Sequence, residues 1–402
     1  MIAFLLAQTI AVTGGTVYPV SGPKIEHGTV LIRDGHIVAV GANVTVPSDA
    51  TKIDATGKWV TPGLIDGAGQ MGLTEITLVP NDNEAVLRGS DIAASFNVAE
   101  GINPASQLIP VTRVEGVTTT LAAPAGGWIE GQAVLIDLDG ATIEQMLVKS
   151  PVGIVVDMSE GSKGAGGSSR AGAAGRLRRV FNDALEYGRR KADYSRAQMQ
   201  QLAAPAAELE ALLPVLRGQL PLIAYANRAS DIRTALRIGR EYKLKLILAG
   251  AAEGWEIAAD IAAAGVPVLV EPMDNIPSYD ALGIRYENAA LLAKAGVKVS
   301  LLETETHYSR RIRQQAGNAV SFGMTWDQAL RAVTLTPAET FGVASQYGSL
   351  DAGKVANVVV WSGDPFELST GVEHVLIRGK EIPLRSRQTE LLERYRTLPP
   401  KY

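Results

Sequence analysis

Cysteine is absent from the 402 residues, which excludes a thiolate nucleophile, a disulfide framework and any zinc site built on sulfur. Histidine is scarce: the chain holds His27, His36, His307 and His374 and no others. Any metal or acid–base centre must draw on these four or on oxygen donors. An excess of positive charge is missing too. The 38 basic and 42 acidic residues leave a net charge of −4, so neither nucleic acid nor an anionic membrane is indicated as a partner. No apolar run is long enough to span a bilayer. The apolar start "MIAFLLAQT" carries no Lys or Arg and is short for a signal peptide. It reads as a tail leading into a strand, as in a cytoplasmic chain. The other reading is the end of a signal peptide whose true start lies upstream, which implies a periplasmic protein.

What is present is ordinary for a globular chain with a large core: 46% hydrophobic and 20% charged residues, enough for one large or two smaller domains. The first sixty residues carry short β-rich runs. "GTVLIRDGHIVAVG" places two of them around Asp34-Gly35, a strong hairpin signal. The C-terminal segments "KVANVVVWSGDP" and "HVLIRGKEI" have the same character. Between them, apolar runs alternate with helical patterns. "GLID", "GVTTTLAAP", "GQAVLIDL", "VGIVVDM", "LPLIAYAN", "LKLILAG", "VPVLVEP" and "VKVSLLE" make eight candidate strands. This pattern predicts an α/β chain: a (β/α)8 TIM-like barrel over 61–344, with a small composite β-sandwich domain built from both chain ends, 1–60 plus 345–402.

The Gly/Ser-rich run at about 160–175 is expected to be a flexible loop, since it lacks the Gly-Lys-Ser/Thr ending of a phosphate cradle. "RLRRVFNDALEYGRRKADYSRAQMQ" follows it and reads as a basic, solvated helix. Thr325 to Gln328 fits a capping box. In "TPAE", Thr336 is the expected cap and Pro337 the first helical residue.

A β-domain drawn from both ends, around a barrel that opens with "VTPGLID", resembles the amidohydrolase superfamily and within it the imidazolonepropionase-like and prolidase-like branch. The segments "GGTVYPVSG", "AGNAVSFGM", "LTPAETFG" and "YGSLDAGKVANVVVWSGDP" carry the same likeness. The resemblance implies an active site at the C-terminal mouth of the barrel. It also implies one or two divalent metals, such as zinc, held by a His-x-His pair after the first strand, histidines after the fifth and sixth strands, and an Asp after the eighth. The metal activates a water, and the Asp moves its proton to the leaving nitrogen. In this chain the pair falls on Ala68 and Gln70 and the fifth-strand histidine on Tyr225. The sixth falls on Gly250 or Ala251, and the Asp on Glu303 or Glu305. No lysine matches the bridging residue of binuclear relatives. His307 alone of the four histidines lies in the expected barrel.

Two readings stand for each remaining candidate. Glu303, Glu305 and His307 are a residual acid–base group, or a rim cluster beside Arg310, Arg311 and Arg313. Glu303 and Glu305 share a face if the segment stays extended. Gln70, Tyr225, Asn227 and Arg228 bind a small polar ligand at the mouth, or Ser230 and Asp231 simply begin the next helix with Arg228 bridging locally. Glu75, Asp82 and Glu84 are oxygen ligands or solvated loop acids. Trp128 and Trp255 are expected to pack.

The resemblance thus implies a hydrolase of non-peptide C–N bonds, acting on cyclic-amide or dipeptide-like substrates. Its usual metal site is eroded, so activity is expected to be weak, metal-independent or absent and no cofactor is expected. The alternative is a non-catalytic ligand-binding protein or a subunit partner of an active homologue. The expected partners are a small polar molecule and a second copy or homologue.

Overall fold

The computed structural model describes residues 9–397 and 399, apart from 77, 78 and 275. The apolar start, residues 1–8, lies outside the described residues.

The strands before the barrel are β1 (Thr9–Val17), β2 (Ile25–Arg33), β3 (His36–Gly41), β4 (Thr51–Asp54) and β5 (Trp59–Pro62). The barrel strands are β6 (Leu64–Asp66), β7 (Val117–Ala122), β8 (Ile129–Asp137), β9 (Leu147–Asp157), β10 (Leu222–Ala226), β11 (Leu246–Gly250), β12 (Val268–Val270) and β13 (Val299–Leu301). After them come β14 (Val358–Trp361), β15 (Val372–Ile377) and β16 (Lys380–Ile382). Strands from both ends join in one eight-stranded sheet of order β16-β15-β14-β5-β1-β2-β3, with β4 beside β1. Asp34 (φ 49°) and Gly35 (φ 79°) turn the β2–β3 hairpin, both with the positive φ that a tight two-residue turn requires.

The second sheet runs β6 to β13 in sequence order, as a TIM-like barrel does. It is nearly closed. Between its edges Gly67 N donates to Leu301 O at 3.3 Å, and Glu303 N donates to the Asp66 carboxylate at 3.0 Å. All eight expected runs form strands, but β8 runs antiparallel to both β7 and β9. The barrel is therefore not a strict (β/α)8 repeat. The reason is length. Residues 123–128 alone connect β7 to β8, and a parallel crossover needs a dozen residues or more. The consequence is functional: the start of β8, not its end, lies at the barrel's C-terminal mouth.

Alternation along the strands sorts the core. Ile65, Leu121, Ala133, Leu135, Val155, Ile223, Ile247, Leu269 and Leu302 fill the barrel interior. Ile154, Val156, Val299 and Leu301 face outward and join the layer beneath the helices.

The glycine-rich run is more ordered than a loop. A short 3-10 turn spans Glu160–Lys163, and a helix begins at Arg170 and runs to Arg189. Ser169 caps it by accepting from Gly172 N. The small residues serve close packing, since a Cβ on Gly172 falls 2.1 Å from Gly166 O. That helix is not fully solvated either. It buries Leu177, Val180, Phe181 and Ala184, and packs on the Ala206–Leu216 helix. The capping box at Thr325 forms as its sequence predicts. The "TPAE" helix starts earlier than expected, at Leu335, because the Thr334 hydroxyl bonds back to Leu330 O at 2.6 Å and continues the preceding turn.

Candidate active site at the barrel mouth

The first barrel strand ends on Asp66, and its carboxyl faces away from the mouth. It accepts from Ser309 Oγ, from Glu303 N and from Ala68 N at 3.3 Å. Burial pushes its pKa well up, with these donors pulling the other way. Beyond it, Ala68 is buried in the barrel interior and offers no donor atom. Gln70 Oε1 accepts from Thr74 Oγ1 at 3.1 Å, and Gln70 N donates to Thr306 Oγ1 at 2.9 Å.

A cavity of about 290 Å3 opens here, lined by Ala68, Gln70, Glu130, Asp157, Ser159, Tyr225 and Thr304 among others. Among the described residues no Lys, Arg or His lines it. Tyr225 and Thr304 also border a second cavity of about 180 Å3, which Asn227, Glu271, Arg285 and Asn288 complete. A third, of about 280 Å3, meets the first at Asp157 and is walled by Trp128, Met158, Leu177 and Arg170.

The eighth barrel strand places different residues at the mouth from those expected. Leu302 packs in the interior, so by alternation Thr304 faces the mouth and Glu303 points back toward the Ile312–Ser321 helix. Glu303 is fully buried there. Arg311 Nη2 holds both its oxygens at 3.2 and 3.1 Å, and Gln315 Nε2 adds a bond at 3.0 Å. Thr304 Oγ1 donates to Glu271 at 2.7 Å. Burial pushes the Glu271 carboxyl up, and the adjacent Glu303 adds to the effect.

Glu305 is exposed. His307 is partly exposed, with Nδ1 3.8 Å from Glu305 and its ring against Tyr308. Neither lines a mouth cavity. The segment turns into a 3-10 helix at Thr306, so the extended geometry that puts both glutamates on one face does not continue. The expected grouping of Glu303, Glu305 and His307 is thus not brought together.

The other candidates divide. Tyr225 and Asn227 line the mouth, and Asn227 Nδ2 donates to Asp280 at 3.3 Å. Arg228 lies over the Tyr279 ring, outside the three cavities. Asp231 pairs with Arg170 at 2.9 Å. Asp82 accepts from Glu75 N and Ile76 N at 2.9 and 2.7 Å, a loop-stabilising role. Trp128 is buried, and Trp255 donates to Gly283 O at 2.8 Å.

The residues present do not fit the divalent metal that the resemblance implies. Ala68 has no donor, and Gln70 Oε1 is engaged. Burial and nearby carboxylates raise the Tyr225 phenol further above its ordinary value, so it stays protonated. At the sixth position, Gly250 has no side chain, and any Cβ there meets Asn227 Oδ1 at 2.4 Å. Among the described residues no three His, Asp or Glu side chains are grouped to hold a metal ion.

Sequence reading missed two mouth residues. Asp157 closes "VGIVVD" and was visible as a polar strand end. Glu130 is hidden in the sequence, because a (β/α)8 repeat puts the end of β8 at the mouth, whereas the reversed strand puts its start there. Its placement also needs a backbone irregularity. Ala133 and Leu135 face the interior, so strict alternation sends Glu130 outward. Instead Ile129 pairs with Val156 and Gly131 with Val155, which leaves Glu130 as the extra residue of a bulge. The phase shifts by one, Ile129 joins the outer layer, and Glu130 lines the mouth. Gly131 (φ +128°) permits this, since a Cβ there sits 2.6 Å from Phe96 O. Gly131→Ala is expected to cost about 1–3 kcal/mol in chemical denaturation and to displace Glu130.

A solved structure shares the overall fold. An amidohydrolase from Thermotoga maritima MSB8 superposes with a TM-score of 0.85 at 29% identity, over 94% of this chain and 100% of its own. The chain belongs to the amidohydrolase superfamily. The amidohydrolase family model matches residues 278–382. The imidazolonepropionase of Acidiphilium cryptum is 25% identical over 85% of this chain and 89% of that protein. The amidohydrolase tasK of Hapsidospora irregularis is 24% identical over 88% of this chain, but the match spans 39% of that longer protein.

Proposed function

We propose that this superfamily member hydrolyses a non-peptide C–N bond of a small cyclic-amide or dipeptide-like substrate at its barrel mouth, without a divalent metal. The relationship to an imidazolonepropionase supports the bond class. One observation carries the metal-free part: the cavity at the family's metal position is lined by Ala68, Gln70 and Tyr225, and its ionisable carboxyls are Glu130 and Asp157. Water activation then falls to these side chains, not to a Lewis acid.

A second reading is a ligand-binding protein or a subunit that associates with an active homologue. The Glu303–Arg311–Gln315 cluster favours it, because it ties up a carboxylate at one of the two positions matched to the family's proton-moving Asp. Metal analysis with a panel of cyclic amides, hydantoins and dipeptides separates the readings. Turnover that persists after exhaustive chelation is the expected result. Stoichiometric zinc or manganese whose removal abolishes turnover defeats the metal-free mechanism. No turnover across the panel, with a compound that still raises the Tm, favours the binding protein.

A further inference from the structure

The two carboxyls of the mouth cavity sit in unlike surroundings. Asp157 ends β9, and its Oδ1 accepts from Ser159 N at 2.7 Å and Ser159 Oγ at 2.5 Å. Donors of this kind favour an ionised carboxylate. Among the described residues no side chain donates to Glu130, and the Gly126 N–H is the donor it meets. The strands that flank it hold the pair in place. Asp157 N donates to Trp128 O at 2.8 Å, two residues before Glu130, and both side chains open on the same space. The bulge at Glu130 is a built feature, since it depends on a glycine that nothing larger replaces. Bulges beside active sites serve to re-aim a side chain, and here that side chain is a carboxyl.

We propose that Glu130 is the general acid of the mouth and Asp157 its general base. The proposal rests on the hydrolase reading above and names the residues that carry it out. In the step, Asp157 accepts a proton from water as the water oxygen bonds to the amide carbon. The C–N bond then breaks, and Glu130 gives its proton to the departing nitrogen. One amide and one water become one acid and one amine. Asp157 is left protonated and Glu130 ionised, and a proton passing from the first to the second through solvent restores the start. Two carboxyls pushed apart in proton affinity are a recurring arrangement for such chemistry.

The electrostatics agree with this division. Burial, then the charge of Asp157, pushes Glu130 up to about 8, so it holds its proton at neutral pH. Burial raises Asp157 as well, but the two Ser159 donors oppose the rise. The groups facing Glu130 are Asp157 on β9 and the protonated phenol of Tyr225 on β10. The nearby Arg176 guanidinium lies over the Trp128 ring and pairs with Asp91 instead.

The test uses the full chain and Glu130→Gln. Infrared titration comes first: a protonated-carboxyl component at pH 7, found in the difference spectrum of the unaltered protein minus E130Q and so distinct from the carboxyls that both proteins share, is expected. Its absence from that difference overturns the proposal. Turnover is then compared on paired substrates that differ only in the leaving nitrogen. E130Q is expected to lose about 100-fold or more on an alkylamide, and far less on a nitroanilide whose leaving group needs no proton. Equal turnover by both proteins on the alkylamide overturns the role of Glu130 and leaves the hydrolase reading intact. An intact band without turnover on any substrate overturns the hydrolase reading, and this role with it.

Discussion

Replacing Glu130 with glutamine is expected to stabilise the protein by about 3–5 kcal/mol at pH 9, measured by urea unfolding. The sign follows from the raised proton affinity. In the unfolded chain the carboxyl ionises near its ordinary 4.5, whereas in the fold it holds its proton to about 8. Between these values the native state binds the extra proton, so wild-type stability falls as pH rises from 4.5 to 8 and then levels off. Glutamine has nothing to ionise, so its profile lacks that fall. At pH 4 the two proteins should be equal within experimental error. A wild-type profile that stays flat between pH 4.5 and 8 defeats the assignment. Stability gained by losing a group is what a site shaped for chemistry predicts.

The second large effect lies at the opposite end of the barrel. Asp137, the last residue of β8, is fully buried. Thr119 Oγ1 donates to it at 2.8 Å, Asn357 Nδ2 at 2.9 Å, Tyr347 OH at 3.0 Å and Arg378 Nε at 2.7 Å. Thr119 belongs to the barrel, while Arg378 turns β15 into β16 in the other sheet. One carboxylate thus ties the two sheets together. Asp137→Ala leaves four donors facing a void, one of them a guanidinium. The expected loss is about 3–5 kcal/mol, read as a lower urea midpoint. Burial raises the Asp137 pKa despite the arginine. Its contribution is therefore greatest below the unfolded carboxyl range and shrinks as pH rises through the native value. A midpoint unchanged in Asp137→Ala shows that the sheets hold without the network.

Both effects arise from the strand that a (β/α)8 repeat would run parallel and that the structure reverses. "GQAVLIDL" was legible as a buried strand because its apolar run and turn-rich flanks are local signals. Its direction was not, because an apolar run looks the same for parallel and antiparallel pairing. Reversing it carries Glu130 to the mouth and Asp137 to the floor. A similar limit governed "LLETETHY". Its acids were obvious, but the choice between Glu303 and Thr304 depends on which face Leu302 turns inward, and that depends on packing with β12 and β6. Glu305 and His307 fell outside the mouth cavities because the chain leaves extended geometry at Thr306.

Residue identity alone was enough to establish several things. "VTPGLID" and the strand–helix rhythm carried the superfamily architecture. Four histidines, three of them outside the barrel, ruled out the usual nitrogen donor set. These inferences need no coordinates, because an atom that is not encoded cannot be supplied by folding. Tertiary structure decided which carboxyls share the mouth. That choice rests on a short connection that forces one strand to reverse and on a glycine-dependent bulge that shifts its phase. Both are long-range consequences of backbone geometry, and side-chain periodicity alone does not register them.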